Sequence, residues 1–408
     1  MSLFKPHPKP PFKVSVKDSN KDFFRRFDNG ELQNNLMRII SWENIEGLTF
    51  VKGRSGYISL HPFSESSDGL CLQIKGLGDF NNPNIMNLPG HGVFLASNFH
   101  NLVSSRVDEK GKIIFERYPA EPMGGLRSSK AQREYMIAKY ALETRLPTEI
   151  PVMWGEYDDL TFNGEKLAFV AVLKPSSHDF RVDDILLVKE DLKNGTIILS
   201  SLLTEKLNVE EGKFVESYKY LNWFSSLVFD LGKSLREFHN NGVYHLQCNP
   251  NNTYCPANLP LHIYDLDGCF LGNELNTQQR ITYQLIDLVN GLSGISQSII
   301  ISFPFLYQTL ENNRLRTNPY ISFLKGYFGP KYFKKIKGSV PVNDFVKLCS
   351  VRFPQIIEEA IDSFDSFKSF FDILITESNI LGYKFSEIIE QMNQKIVKIK
   401  VPNFEARA

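Results

Sequence analysis

Gly242-Val-Tyr-His-Leu-Gln-Cys-Asn-Pro-Asn-Asn252 and, after a short gap, Ile263-Tyr-Asp-Leu-Asp-Gly268 are the segments on which the reading of this chain turns. Ahead of them, Tyr218 to Phe238 carries Leu221, Phe224, Leu227, Leu231 and Leu235 at the spacing of one helix face packed on a core. Asn240, Asn241 and Gly242 end that helix, because Asn and Gly accept the left-handed backbone that a helix terminus needs. His245 then opens a loop, Asn252 follows it by seven positions, and an apolar strand delivers Asp265.

This is the layout of a kinase-type catalytic loop and metal-binding turn. Protein kinases place their catalytic Asp two residues after the loop His. Here that position is Gln247, whose amide cannot take a proton as a base. The Asn252 carbonyl and the Asp265 carboxylate are hard oxygen ligands, and with phosphate oxygens they suit Mg2+ or Mn2+. The segment therefore keeps a metal-binding pair and lacks the usual base. His245 reads as a structural residue of the loop.

Two further pieces are needed to bind a nucleoside triphosphate: a cation on a strand end and a carboxylate to hold it. Leu72-Gln-Ile-Lys-Gly76 offers Lys75, and Ser128 to Leu142, a helix by its periodicity, offers Glu134. Taken alone, each is an ordinary surface charge. The order Lys, Glu, Asn, Asp is what gives them meaning, since phosphoryl and nucleotidyl transfer depend mainly on positioning and on neutralising phosphate charge.

Around these pieces, residues 1 to 45 read as an irregular arm followed by a helix. Leu48 to Ile74 reads as strands separated by turns at Gly53, Gly56 and Asp68-Gly69. Residues 79–123 are rich in Asn, Pro and Gly and read as an insertion, with one hairpin around Asp108-Glu-Lys-Gly111. Leu167 to Leu173 is a buried strand, and Lys174-Pro175 after it breaks regular structure, which places the domain boundary. Residues 275 to 400 read as mostly helical, with breaks at Pro304, Pro319 and Pro341.

Composition narrows the classes of partner. At 408 residues the chain exceeds one compact core. Lys plus Arg equal Asp plus Glu at 46 each, so no field of one sign points to nucleic acid or an anionic membrane. The basic run Lys331 to Lys337 reads as a solvated helix face. Five cysteines without a CxxC argue for a reducing compartment and for buried fillers. The Pro-rich start lacks the apolar core of a signal peptide, and the apolar stretch Ile299 to Leu306 is too short to span a bilayer.

Five segments in order resemble the selenoprotein O family of kinase-like adenylyltransferases. Leu72-Gln-Ile-Lys-Gly-Leu-Gly78 is similar to its LQLKGxG turn, and Gly125-Leu-Arg-Ser-Ser-Lys-Ala-Gln-Arg-Glu134 to its GRAVLRSSIRE segment. Leu146-Pro-Thr148 resembles GIPT, Pro175 to Val182 resembles PSxxRxG, and His245-Leu-Gln-Cys-Asn-Pro-Asn-Asn252 resembles HGVMNTDN. The resemblance implies that Lys75 and Gly76 bind nucleotide phosphates, that Glu134 pairs with Lys75, that Arg127 and Arg181 line the nucleotide pocket, and that Asn252 and Asp265 hold the metal. It further implies ATP bound in an inverted orientation and AMP transferred to hydroxyl groups of proteins. The chain departs from the pattern at Asn251, where the family has an Asp that is a candidate base, and at Asp267, a second carboxylate beside Asp265. Asp267 either binds a second metal, replaces the missing base or faces solvent.

The expectation is an α+β, bilobal protein-kinase-like fold: an arm over 1–45, an antiparallel-sheet N-lobe with a key helix over 46–185, interrupted by 79–123, and a mainly helical C-lobe over 186–408 carrying the catalytic loop and metal turn. The expected function is ATP- and Mg2+- or Mn2+-dependent adenylyl transfer to a hydroxyl, on a protein or a small metabolite, with Asp265, Asp267 and Asn251 as the catalytic candidates. A phosphotransferase and a non-catalytic pseudokinase that acts as a partner-binding module are the alternatives. The expected protein is a cytoplasmic monomer without nucleic-acid or membrane partners, with signal-independent export to a host left open.

Overall fold

In the computed structural model of the chain, the described residues are 9–27, 30–51, 55–60, 70–78, 88–90, 93–94, 103–117, 121–174, 189–191, 196–198, 217–254, 261–302 and 319–339. The fold mixes an antiparallel sheet with helices and divides into two compact units. A sheet unit comprises Met1–Phe99, Tyr118–Asp179 and Tyr264–Cys269, and a helical unit comprises His100–Arg117, Phe180–Ile263 and Phe270–Ala408.

Among the described residues, seven strands form the main sheet of this unit: β1 (Val14–Ser19), β2 (Leu48–Val51), β3 (Ser55–Ser59), β4 (Cys71–Lys75), β5 (Leu126–Arg127), β6 (Ile150–Phe162) and β7 (Glu165–Lys174). They pair antiparallel in the order β1-β6-β7-β4-β3-β2, with β5 also on β7. Helices α1 (Lys21–Phe27), α2 (Glu31–Ile40) and α3 (Ser128–Glu143) complete the unit.

Both faces of the central strands are covered, and strand parity decides which residue meets which helix. Phe169, Ala171 and Leu173 of β7 join one core with Leu72 and Ile74 of β4 and Phe23, Leu32, Leu36, Ile39 and Ile40 of α1 and α2. Ala168, Val170 and Val172 lie on the opposite face with Trp154, Leu126 and, from α3, Ala131 and Tyr135. Burial on both faces is why Leu167 to Leu173 reads as an unbroken apolar run. Helix α2 buries Leu32, Leu36, Ile39 and Ile40 completely, at the i, i+4, i+7, i+8 spacing of one face. Each such side chain contributes about 1.5–3 kcal/mol of transfer free energy.

Two placements differ from the sequence reading. Residues 14–19, expected within an irregular arm, form an edge strand that pairs with β6 from Val14↔Tyr157 to Ser19↔Met153. That pairing is set by a partner far along the chain, so the local pattern carries little of it. The turn Tyr264–Cys269, expected in the second domain, belongs with the sheet unit.

In the helical unit, α4 (Ser217–Asn240), α5 (Thr277–Ser302) and α6 (Pro319–Ser339) are the long elements. Pro319, expected at a break, opens α6, where its missing N–H costs nothing. The hairpin expected around Asp108 forms from Val103–Val107 and Ile113–Arg117. It docks on α5, where Gln279 Nε2 donates to Val107 O and Thr282 Oγ1 donates to Gly111 O. Among the described residues no helix is long and apolar enough to cross a membrane.

Helices α4 and α6 meet backbone to backbone. A Cβ at Gly232 would stand 2.2 Å from Phe323 O, and one at Gly326 2.1 Å from Phe229 O. Neither contact can be relieved by rotating a side chain. In an exposed helix Gly→Ala stabilises by up to about 1 kcal/mol. At this crossing Gly232→Ala and Gly326→Ala are expected to destabilise by about 1–3 kcal/mol instead. A lower urea midpoint with an unchanged slope is the readout, and an unchanged or higher midpoint would contradict the crossing.

Candidate functional site

The parity of β4 aims Lys75 at α3. Leu72 and Ile74 face the α1–α2 side, so Cys71, Gln73 and Lys75 face the other. Lys75 pairs in register with Val170, whose side chain packs toward α3. On α3, Ala131, Glu134, Tyr135 and Ala138 form the sheet-facing stripe, which places a carboxylate opposite the lysine. Lys75 Nζ lies 2.5 Å from Glu134 Oε1, with side-chain exposures of 5% and 0%. Asp265 Oδ1 stands 3.4 Å from the same ammonium and Glu149 Oε2 4.0 Å.

Gly76 then turns the chain at φ +85, and a Cβ there would stand 2.3 Å from Ala168 O. Only glycine fits behind this lysine, on grounds of both space and backbone conformation.

Sequence reasoning missed the rest of the cluster. Lys174 ends β7 as Lys75 ends β4, 2% exposed, and its Nζ is 3.7 Å from Glu149 Oε1. It also lies 4.5 Å from the Tyr264 ring centroid and 5.7 Å from that of Tyr57. A strand-terminal lysine after an apolar run was a readable signal. Glu149 had none, because it sits in the connection between α3 and β6.

On the flank, Lys130 Nζ is 3.3 Å from Glu121 Oε1 and 3.7 Å from Asp267 Oδ2. Arg127 Nε is 3.3 Å from Glu121 Oε2, and the guanidinium lies over Phe162. The structure thus gathers Lys75, Gly76, Glu134, Asp265, Asp267 and Arg127 within the sheet unit. Arg181 and His178 lie outside the described residues.

Burial disfavours the Lys75 ammonium, but Glu134, Glu149 and Asp265 outweigh it and hold its pKa well above the usual lysine value. Burial pushes the Glu134 carboxyl up to about 8, opposed by Lys75 and reinforced by Glu149, Asp267 and Asp265. The direction follows first from burial, and the carboxylates of Glu149, Asp267 and Asp265 add to it.

Those residues suit a divalent cation. Asp265 sits in the left-handed region at φ 68, which Asp tolerates, and at 29% its side chain is the most exposed carboxylate around Lys75. A hard cation there would meet the carboxylate oxygens of Asp265. Among the described residues no group of three or more His, Cys, Asp and Glu is arranged as a metal site. A cation held mainly by substrate oxygens needs none.

The helical unit holds the loop His245 to Asn252 in a strained path. Leu246 has φ 67, rare for a non-glycine residue. Asp287 of α5 accepts the His245 backbone N–H at 2.9 Å, and Asn290 Nδ2 donates to Leu246 O. His245 is fully buried, and its Nδ1 accepts the Gln247 N–H. Asn252 Nδ2 donates to Gln247 O at 3.0 Å, which orients the carboxamide and leaves its Oδ1 on the opposite side. Asn251 lies in the one-turn helix Pro250–Asn252. Cys248 is buried and its thiol is pushed well up by burial, so it is a filler and no nucleophile.

Asp287 is itself held by His239 of α4, whose Nε2–H donates to Oδ2 at 2.9 Å while Nδ1 accepts the Tyr327 hydroxyl at 2.7 Å. Burial lowers the His239 pKa below 6.5, outweighing Asp287. The folded protein therefore keeps His239 neutral while the unfolded chain protonates it. That contribution to stability is fully present above pH 6.5 and is lost as pH falls from there toward the folded-state pKa. The slope is at most about 1.4 kcal/mol per pH unit. Between pH 7 and 5 the parent is expected to lose stability more steeply than His239→Gln, measured by urea unfolding. Equal slopes would show that His239 is not held neutral.

No protein-family model and no curated protein matches this chain. A solved structure, WaaP in complex with acyl carrier protein, is similar at 11% identity and a TM-score of 0.37, over 84% of this chain and 99% of that one.

Proposed function

We propose that the protein has a kinase-like fold of the selenoprotein O type, binds ATP and transfers its adenylyl group to a hydroxyl, on a protein or a small metabolite. The observation that carries this reading is Lys75, a buried cation held at 2.5 Å by Glu134 and at 3.4 Å by Asp265. These three residues come from a strand, a helix and a turn far apart in sequence, and they are the charged set a phosphate-binding site requires. Gln247 in the base position and the ordered motif resemblance favour adenylyl over phosphoryl transfer.

In this reading Lys75 binds the phosphates and Glu134 fixes its ammonium. Arg127 and Arg181 line the nucleotide pocket, and Asp265 with Asn252 would hold Mg2+ or Mn2+. The metal, when bound, neutralises phosphate charge. That matters here because Asp265, 3.4 Å from Lys75, would otherwise repel a polyanion. The acceptor oxygen bonds to the α-phosphorus, the bond from that phosphorus to the α,β-bridging oxygen breaks, and pyrophosphate leaves. The acceptor's proton passes to Asp267, the carboxylate beside the turn that replaces the missing base.

ATP labelled at the α or the γ position, incubated with the protein, metal and a cell lysate, tests the reading. Label from the α position on an acceptor is expected. Transfer from the γ position would mean a kinase, and transfer from neither a pseudokinase. Lys75→Ala is expected to weaken ATP binding and Asp265→Ala to remove metal-dependent transfer, each by about a hundredfold or more. Asp267→Asn is expected to lower turnover with ATP affinity retained; full turnover would remove Asp267 from the mechanism.

A further inference from the structure

The residue after the helix terminus of α2 bears directly on the Lys75 turn. Trp42 adopts φ 63, a left-handed conformation that a bulky side chain rarely takes. Its backbone is fixed there: Trp42 N–H donates to Ile39 O, and Glu43 and Asn44 N–H both donate to Arg38 O. Backbone strain of this kind persists only where the surroundings impose it. The indole reaches out of this turn, and its Nε1–H donates to Leu77 O at 2.8 Å. The preceding carbonyl, Gly76 O, accepts the buried Tyr157 hydroxyl at 3.3 Å. Two successive carbonyls of the turn after Lys75 are thus held by side chains from outside it. Leu77 itself is fully buried in the core on the α1–α2 side.

We propose that Trp42, seconded by Tyr157, is a positioning residue for nucleotide binding: it clamps Lys75-Gly76-Leu77-Gly78 in the conformation that keeps Lys75 on Glu134. The N-terminal segment is then part of the nucleotide site's framework. This rests on the reading of Lys75 as the phosphate-binding cation. Removing the two donors leaves most of the apolar packing in place and frees the turn, so the lysine spends part of its time away from the binding position.

The test uses the full chain and Mg-ATP. Trp42→Phe keeps a ring and removes the N–H, and Tyr157→Phe removes the second donor with less change in packing. Each is expected to raise the Kd and KM for ATP about three- to tenfold, the range of one lost hydrogen bond, with turnover at saturating ATP within about twofold. Leu36→Ala, a fully buried core residue of the same helix, should lower the melting temperature and leave the ATP Kd unchanged. Unchanged ATP affinity in Trp42→Phe and Tyr157→Phe, with Lys75→Ala abolishing binding, would reduce Trp42 to a packing residue and overturn the inference alone. Unchanged affinity in Lys75→Ala would overturn the nucleotide site, and the clamp with it.

Discussion

An ammonium group inside a sheet face cannot stand alone: taking it out of water costs several kcal/mol unless opposite charge lies against it. Lys75 is that group, and its neighbourhood is arranged to hold it. Its placement follows from parity, since Leu72 and Ile74 are consumed by the α1–α2 core and the remaining face of β4 must meet α3. Helix α3 then needs small residues to come close and a carboxylate in line, which Ala131, Ala138 and Glu134 supply. Gly76 is required because the chain turns against Ala168 O immediately afterwards.

A simple lysine–glutamate pair would be electrically complete with two residues. This one is shared among Glu134, Asp265 and Glu149, and Glu149 in turn faces Lys174. Truncating one carboxylate therefore leaves Lys75 with partners, while truncating Lys75 leaves buried carboxylates facing each other. Like charges in a dry site raise each other's cost, and Glu149, Asp267 and Asp265 add to burial in raising the Glu134 carboxyl. In the proposed function a metal ion at Asp265 would relieve that repulsion.

How much of this was legible in the sequence depended on how local each signal was. Lys75 and Glu134 were readable because each lies within a strong periodic element, a strand or a helix, whose core face fixes where the charge goes. The Lys174 pairing followed the same rule as Lys75 and was passed over, since the Pro175 break drew the reading toward a boundary. Glu149 could not be read, because a connection has no periodicity to give a direction. Strand β1 was hidden for a related reason: an edge strand buries one face at most, so Val14-Ser15-Val16-Lys17 carries only a short alternation, and its partner lies beyond the whole β2–α3 segment. Asp287 escaped notice because its role is to accept the backbone N–H of His245, a contact written in no side-chain motif.

The loop and the turn differ in what they offer the proposed chemistry. In the loop, Gln247 gives its carbonyl to Asn252 and its N–H to His245, so its backbone is committed to orienting the Asn252 carboxamide. At the turn, Asp267 sits in the one-turn helix Leu266–Gly268, with Lys130 Nζ 3.7 Å from its Oδ2. In the proposed function this carboxylate takes the proton that the Gln247 amide cannot.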